Sequence, residues 1–220
     1  MLRMQFSKEG SAIWISHLDL MRLLMRAFRR AGISLAHSHG FTPHPELSIV
    51  LPLSVGVSSR CELADFSLAE GETVLPEEIP AMLNAVLPEG VRVSACYSDG
   101  QKVKHLRWLE AELRLVYDAG VPAEAEQEIL ALFARESLPV EKHSKSGPVE
   151  TDIRPMYRDL SLTRRCDTEL ILHSVCAAQN PTLNPMLLAA AIARYLPSRK
   201  PDFVASRRLR LLDDDGNEFR

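Results

Sequence analysis

The chain has 220 residues, of which 46% are apolar and 25% charged, with 10 glycines and 14 prolines. These proportions exclude a disordered, collagen-like or membrane-embedded polypeptide, and no apolar run approaches the roughly 20 residues that span a bilayer. The formal charge of −3 conceals a split. Residues 1–60 carry seven Lys/Arg against three Asp/Glu, and residues 61–100 carry one against eight. Local field rather than net charge steers association, so the basic opening segment points to an anionic partner. Met1 to Gly10 contains no hydrophobic signal core, so a cytoplasmic protein is expected.

In chain order, Leu2 to Ile15 reads as two short extended pieces around Lys8-Glu9-Gly10-Ser11. Ser16-His17-Leu18-Asp19 has the form of a capping box, opening a helix that runs to about Arg30 and stops at Gly32. Leu20, Met21, Leu24, Met25, Ala27 and Phe28 fill one arc of that helix. Arg22, Arg26, Arg29 and Arg30 fill a separate arc about 100° wide. Ile33 to His37 reads as a strand, leading into the turn-rich Ser38-His39-Gly40-Phe41-Thr42-Pro43-His44-Pro45. Leu47 to Val57 and Glu62 to Leu68 read as extended. Pro76 is expected to open a helix through Ile79, Met82, Leu83 and Val86, and Val91 to Ala95 alternates as a strand.

The order is β-α-β-β-α-β, and after a linker at Ser98 to Lys102 it recurs. Leu109 to Tyr117 alternates as a strand, and Pro122 opens a helix carrying Ala125, Ile129, Leu132 and Phe133. Two extended runs flank Lys145-Ser146-Gly147-Pro148, followed by strands at Leu160 to Leu162 and Glu169 to Cys176. Asn184 and Pro185 start a helix through Leu188, Ala191, Ile192 and Tyr195, and Val204 to Leu212 closes the chain. The expected architecture is α+β, with two tandem ferredoxin-like (βαββαβ) domains built on antiparallel sheets. Their bounds are residues 1–100 and 105–220, the second carrying an extra extended segment around Asp152-Ile153-Arg154-Pro155.

Cys61, Cys96, Cys166 and Cys176 show no CxxC or CxxxCxxC spacing, so reduced structural thiols are expected rather than a zinc or iron–sulfur site. There is no Gly-rich phosphate loop, GxSxG elbow or HExxH. Four features remain. The four arginines of the first helix can fork onto phosphates, or form a solvated face with Asp19 pairing to Arg22. His37, His39 and His44 cluster in one turn, but no carboxylate is patterned with them, and no metal is expected. His44 is held between Pro43 and Pro45, which suits it to binding or proton transfer, or to bracing a crossover. Asp152 and Arg154 face one side of an extended segment, as a salt bridge or an anion ligand. The basic run Arg207-Arg208-Leu209-Arg210 reads as an edge strand guarded by charge.

Phe6-Ser7-Lys8-x-Gly10, Ile15-Ser16-His17-Leu18-Asp19-Leu20-Met21-Arg22, Gly40-Phe41-Thr42-Pro43-His44-Pro45, Pro52-Leu53-x-x-Gly56, Asp152-Ile153-Arg154-Pro155 and Asn184-Pro185 together resemble one uncharacterised bacterial family. It is the radical-SAM-linked family catalogued as domain of unknown function 2344. The sequence departs from that family's pattern at His39 and Glu46, which argues further against a three-histidine metal site. The resemblance implies a radical-SAM enzyme as partner, because in this family the domain is fused behind such an enzyme or encoded beside one.

The expectation is therefore an accessory protein without cofactor or independent catalysis, binding RNA or another anionic substrate for that enzyme. Arg22, Arg26, Arg29 and Arg30 would hold phosphates, and His17, His44 and Arg154 would line the site. One alternative is a metal-independent endoribonuclease resembling the CRISPR RNA-processing proteins, with His44 or His17 as general base. Another is a protein-interaction module whose basic face meets an acidic partner.

Overall fold

Leu2–Lys8 is extended as expected and forms β1, whose Met4 and Phe6 are fully buried. The structure, a computed structural model, describes residues 1–144 and 147–220. It divides into two units, Met1–His105 with Phe219–Arg220, and Leu106–Glu218. In the first unit β1 is followed by a 3-10 turn (Gly10–Trp14), α1 (His17–Arg30), β2 (Leu47–Ile49), β3 (Val57–Phe66), α2 (Ile79–Asn84) and β4 (Val91–Tyr97). The strands lie in the order β4-β1-β3-β2, with every pairing among them antiparallel.

The apolar arc of α1 supplies Leu20, Leu24, Ala27 and Phe28 to a core shared with Met4, Phe6, Ala64, Phe66, Leu83 and Val91. Phe28 packs on Phe66 with ring centroids 4.8 Å apart. Burying each such side chain contributes about 1.5–3 kcal/mol. Asn84 ties the end of α2 to β4 like a strand neighbour: its amide donates to the Val93 carbonyl at 2.8 Å and accepts from the Val93 NH at 2.9 Å. Gly90 accepts from the Glu9 NH at 2.7 Å with φ +88°, and a Cβ there would lie 2.4 Å from the Glu9 carbonyl oxygen. No larger residue fits that approach.

The second unit contains β5 (Trp108–Val116), α3 (Ala125–Phe133), a hairpin of β6 (Pro139–Ser144) and β7 (Gly147–Asp152), β8 (Tyr157–Cys166), β9 (Glu169–Ala177), α4 (Met186–Tyr195) and β10 (Phe203–Leu212). Its main sheet runs β10-β5-β9-β8, again antiparallel. Leu109, Ala111, Leu113 and Leu115 are buried on β5, as are Ile129 and Leu132 on α3 and Leu188, Ala191 and Ile192 on α4. Among the described residues no helix is long and apolar enough to cross a membrane.

Several elements differ from expectation. Ile13 and Ile15 were expected in a strand, but the positive φ of Gly10 turns the chain into a 3-10 turn that contains Ile13 and ends at Ile15. Ile33 to His37 makes only two isolated bridges, Leu35 to Leu68 and His37 to Pro45. The extended run from Leu47 forms strand only to Ile49, and Pro52, lacking an NH, cannot continue a ladder. Pro76 lies in a turn, and the helix starts at Ile79 with Pro80 in its first turn. Asp152-Ile153-Arg154-Pro155 is the end of β7 and a 3-10 turn rather than an extended segment. The expected turn at Lys145 and Ser146 lies outside the described residues.

Arg3 and Asp65, on neighbouring strands, form a two-pronged pair at 2.6 and 2.9 Å, with side chains only 3% and 8% exposed. Arg3 also donates to the Gln101 carbonyl at 2.8 Å and lies 5.1 Å from the Phe219 ring centroid. Removing one member of a buried pair strands the other, at a cost of about 3–5 kcal/mol. Asp65→Asn is therefore expected to lower unfolding free energy by about 3 kcal/mol in urea titrations. Arg220→Gln, which breaks the exposed pair to Asp99, is expected to stay within about 1 kcal/mol of wild type. Equal effects would remove the structural role given to Arg3.

Candidate anion-binding site

The site is built on α1, whose two ends are fixed by local chemistry. Ser16 is the N-cap, and its hydroxyl accepts from the Asp19 NH at 3.2 Å. The same hydroxyl donates to Asp19 Oδ2 at 2.8 Å, and Arg22 donates to Oδ1 at 3.0 Å. The Ser16 hydroxyl first, and then Arg22, hold the Asp19 carboxyl below its ordinary range. At the other end the Gly32 NH donates to the Arg29 carbonyl and the Ile33 NH to the Phe28 carbonyl, with Gly32 at φ +76°. That pair of bonds is a Schellman motif, and buried Ile33 locks it to the core.

With the apolar arc buried, Arg22, Arg26, Arg29 and Arg30 are all exposed. Arg22 is shared with Asp19, whereas Arg26, Arg29 and Arg30 make no ion pair among the described residues. Arg22, Arg26 and Arg30 line a groove of about 650 Å³ between α1 and Val86 and Pro88. A rise of about 1.5 Å per residue sets these three about 6 Å apart along the helix axis. Arg26 and Arg29 also border a second groove of about 540 Å³, floored by Phe28, Ile33 and Leu35 and closed by His37 and Pro45. Arg26 belongs to both.

The histidines occupy different positions. His44 is exposed, and its Nδ1 pairs with the Ser38 hydroxyl at 2.8 Å. Its NH donates to the same hydroxyl at 3.2 Å, while the Ser38 NH donates to its carbonyl at 2.9 Å. His44 thus closes a loop over residues 38–44 whose stem is the His37 to Pro45 bridge. His17 is the first residue of α1 and half-buried, and its Nδ1 is buried without a hydrogen-bond partner among the described residues. Among the described residues no group of three or more His, Cys, Asp or Glu side chains is placed to hold a metal ion.

Arg154 lies in the second unit and is engaged there. Its Nε donates to the Arg135 carbonyl at 3.0 Å, and its guanidinium lies over the Tyr157 ring at 5.3 Å. The expected Asp152–Arg154 side-chain pairing takes another form, because Asp152 Oδ1 accepts from the backbone NH of Leu138 and of Arg154. Those two bonds, Leu138 first, hold its carboxyl below the ordinary range. Asp152 thereby organises the turn. Of the cysteines, Cys176 is buried and its thiol is pushed up to about 12, while Cys96 in β4 is pushed up to about 11, both by desolvation.

A family described as "Uncharacterized protein conserved in bacteria (DUF2344)" matches residues 1–185. No curated protein matches the chain. Among solved structures, a chain in "Crystal Structure of a Cbf5-Nop10-Gar1 Complex" is similar, with a TM-score of 0.52 at 9% identity. That match covers 96% of this chain and 48% of the other, so this chain spans about half the length of the chain it matches. At that identity the likeness is one of fold alone.

Sequence patterning gave no hint of a charged cluster in the second unit, because its members are remote in the chain. Glu110 on β5 accepts from Arg210 Nε on β10 and pairs with His173 Nε2 on β9 at 2.6 Å. The hydrogen bond from Arg210 is the main cause of a Glu110 carboxyl held below its ordinary range. A lowered pKa means stabilisation that is present above the unfolded value of about 4.3 and lost as pH falls through the folded one. Glu110→Gln is expected to cost about 1–3 kcal/mol at neutral pH, with the gap to wild type narrowing below about pH 4. Urea titrations at the two pH values check this, and a gap that widens in acid would contradict the pairing.

Proposed function

We propose, from the premise that the chain belongs to the DUF2344 family of uncharacterised bacterial proteins, that it is a cytoplasmic accessory protein binding RNA or a similar polyanion for a partner radical-SAM enzyme. The observation that carries this reading is the exposed arginine face of α1, three of whose guanidinium groups are left without an ion pair among the described residues. Guanidinium forks match phosphate oxygens, and each neutralised phosphate releases counterions. A chain of net charge −3 can bind a polyanion only through such a local patch. The radical-SAM partner rests on the SHLDL and GFxPHP motifs. Without cluster-type cysteine spacing in this sequence, the radical chemistry belongs to the partner.

The tandem ferredoxin-like reading belongs to the same proposal. A β-α-β-β-α-β order with strands arranged β4-β1-β3-β2 supports it for the first unit. The order β10-β5-β9-β8 repeats that arrangement in the second, with the β6–β7 hairpin inserted between α3 and β8.

The test is RNA binding by fluorescence anisotropy across a salt series. Binding that weakens with salt is expected, and each of Arg26→Gln, Arg29→Gln and Arg30→Gln is expected to reduce the log–log salt slope by about 0.7 where it meets a single-stranded phosphate. A flat salt dependence would remove the phosphate role of α1. RNA cleavage by the purified protein in EDTA would instead establish the endoribonuclease alternative.

A further inference from the structure

The second groove and the loop above it carry the reading one step further. The loop over residues 38–44 leaves its stem as a closed unit. The Glu46 NH donates to the Ala36 carbonyl at 2.8 Å, His37 bridges Pro45, and Ser38 and His44 exchange the bonds described above. Pro43 and Pro45 stiffen the returning strand of the loop. At the far end Phe41 is fully exposed, the most exposed of the large apolar side chains described. A fully solvated phenyl ring on a braced loop gains nothing for the fold, since it buries no area.

Its surroundings give it a purpose. His37 and Pro45, the two ends of the loop stem, are also walls of the groove floored by Phe28, Ile33 and Leu35. Arg26 and Arg29 line the same groove. The groove volume of about 540 Å³ falls within the range of small-molecule clefts. A groove lined by cations and apolar side chains, joined through His37 and Pro45 to a loop that carries an exposed aromatic ring, matches a strand whose phosphates and base faces are both accessible. Double helices hide their base faces in the stack, whereas single strands present them to aromatic side chains. The acidic neighbours do not fill the groove: Glu72 is bound to the Ser34 NH at 2.9 Å, and Glu46 follows the stem.

We infer that this face binds a single-stranded oligonucleotide, with a base stacked on Phe41, an adjoining base over the groove floor and phosphates on Arg26 and Arg29. The inference rests on the polyanion-binding reading and specifies its ligand as unpaired nucleic acid. Ribose and deoxyribose strands share the chemistry used here, so both are to be tried.

The experiment is anisotropy titration of the full chain with a fluorescein-labelled oligouridine, the matching oligodeoxythymidine and a labelled duplex. Wild type, Phe41→Ala, Phe41→Trp and Arg26→Gln are compared, each checked for an unchanged melting temperature. Wild type is expected to prefer the single strands. Phe41→Ala is expected to weaken them about tenfold or more, with an unchanged salt slope, while leaving duplex binding unaffected. Phe41→Trp is expected to restore affinity, and Arg26→Gln to lower the salt slope. Tighter binding of RNA than DNA would show that the 2′-hydroxyl is read as well, and equal binding that base and phosphate suffice; both support the site. If single strands bind with salt-dependent affinity but Phe41→Ala is silent, the stacking site is wrong and the polyanion reading survives. If no nucleic acid binds wild type, both fall. A silent Phe41→Ala that nonetheless abolishes co-purification with the radical-SAM enzyme would overturn the single-strand inference in favour of a protein contact.

Discussion

The rotation of α1 about its own axis is the constraint on which the proposed site depends. Leu20, Leu24, Ala27 and Phe28 recur at helical spacing and are almost wholly removed from water. Turning the helix by one residue, about 100°, would expose that arc and bury guanidinium groups, a change unfavourable by many kcal/mol on both counts. The core therefore fixes the arginines outward as firmly as it fixes the leucines inward. The Ser16 cap and the Schellman closure at Gly32 set where the helix begins and ends. Together they define the length over which cations can be presented. The loop at residues 38–44 then inherits its position from the helix, because the chain leaving Gly32 passes through buried Ile33 and Leu35 before reaching the His37 stem.

What the sequence made legible follows from how local each signal is. The cap, both faces and the stop of α1 are all encoded within seventeen consecutive residues, and the structure has each of them where periodicity and capping rules put it. Ile33 to His37 has the residues of a strand but forms no continuous ladder. Its register partners, Leu68 and Pro45, permit only single bridges. Arg154 illustrates the opposite limit. An arginine two residues from an aspartate suggests a side-chain pair, yet Asp152 is occupied by backbone NH groups of Leu138 and Arg154. Only the register of the β6–β7 hairpin, which brings Pro139 opposite Asp152, could have shown that. Phe41 had a motif around it and no pattern to say whether its ring faced core or solvent.

His44 carries a related lesson about rigid turns. Flanking prolines and a histidine invite a catalytic reading, but the imidazole and the backbone of this residue are bonded to Ser38 from both sides. An imidazole holding its own loop shut is a positioning device for what the loop displays. On the single-strand proposal the residue displayed is Phe41, and His44 serves the site by holding the loop that carries it.

The arginines make the same argument across the molecule, since one residue type serves opposite ends according to its neighbours. Arg3 is paired with Asp65 in the interior, and Arg60, Arg114, Arg164, Arg194, Arg199 and Arg210 each meet a glutamate. Arg158 lies 4.4 Å above the Trp108 ring. Such groups are already neutralised, and an incoming phosphate would have to displace a carboxylate to reach them. On the outer face of α1 only Asp19 is available, and it is taken up by Ser16 and Arg22. The acidic residues that balance the basic opening segment in the overall charge come later in the sequence, beyond Ser59, and the ion pairs they form leave Arg26, Arg29 and Arg30 alone. Availability, not abundance, is what distinguishes these three cations. Among the described residues an anion reaching them has no ion pair to displace, and its attraction to the patch is weakened by salt.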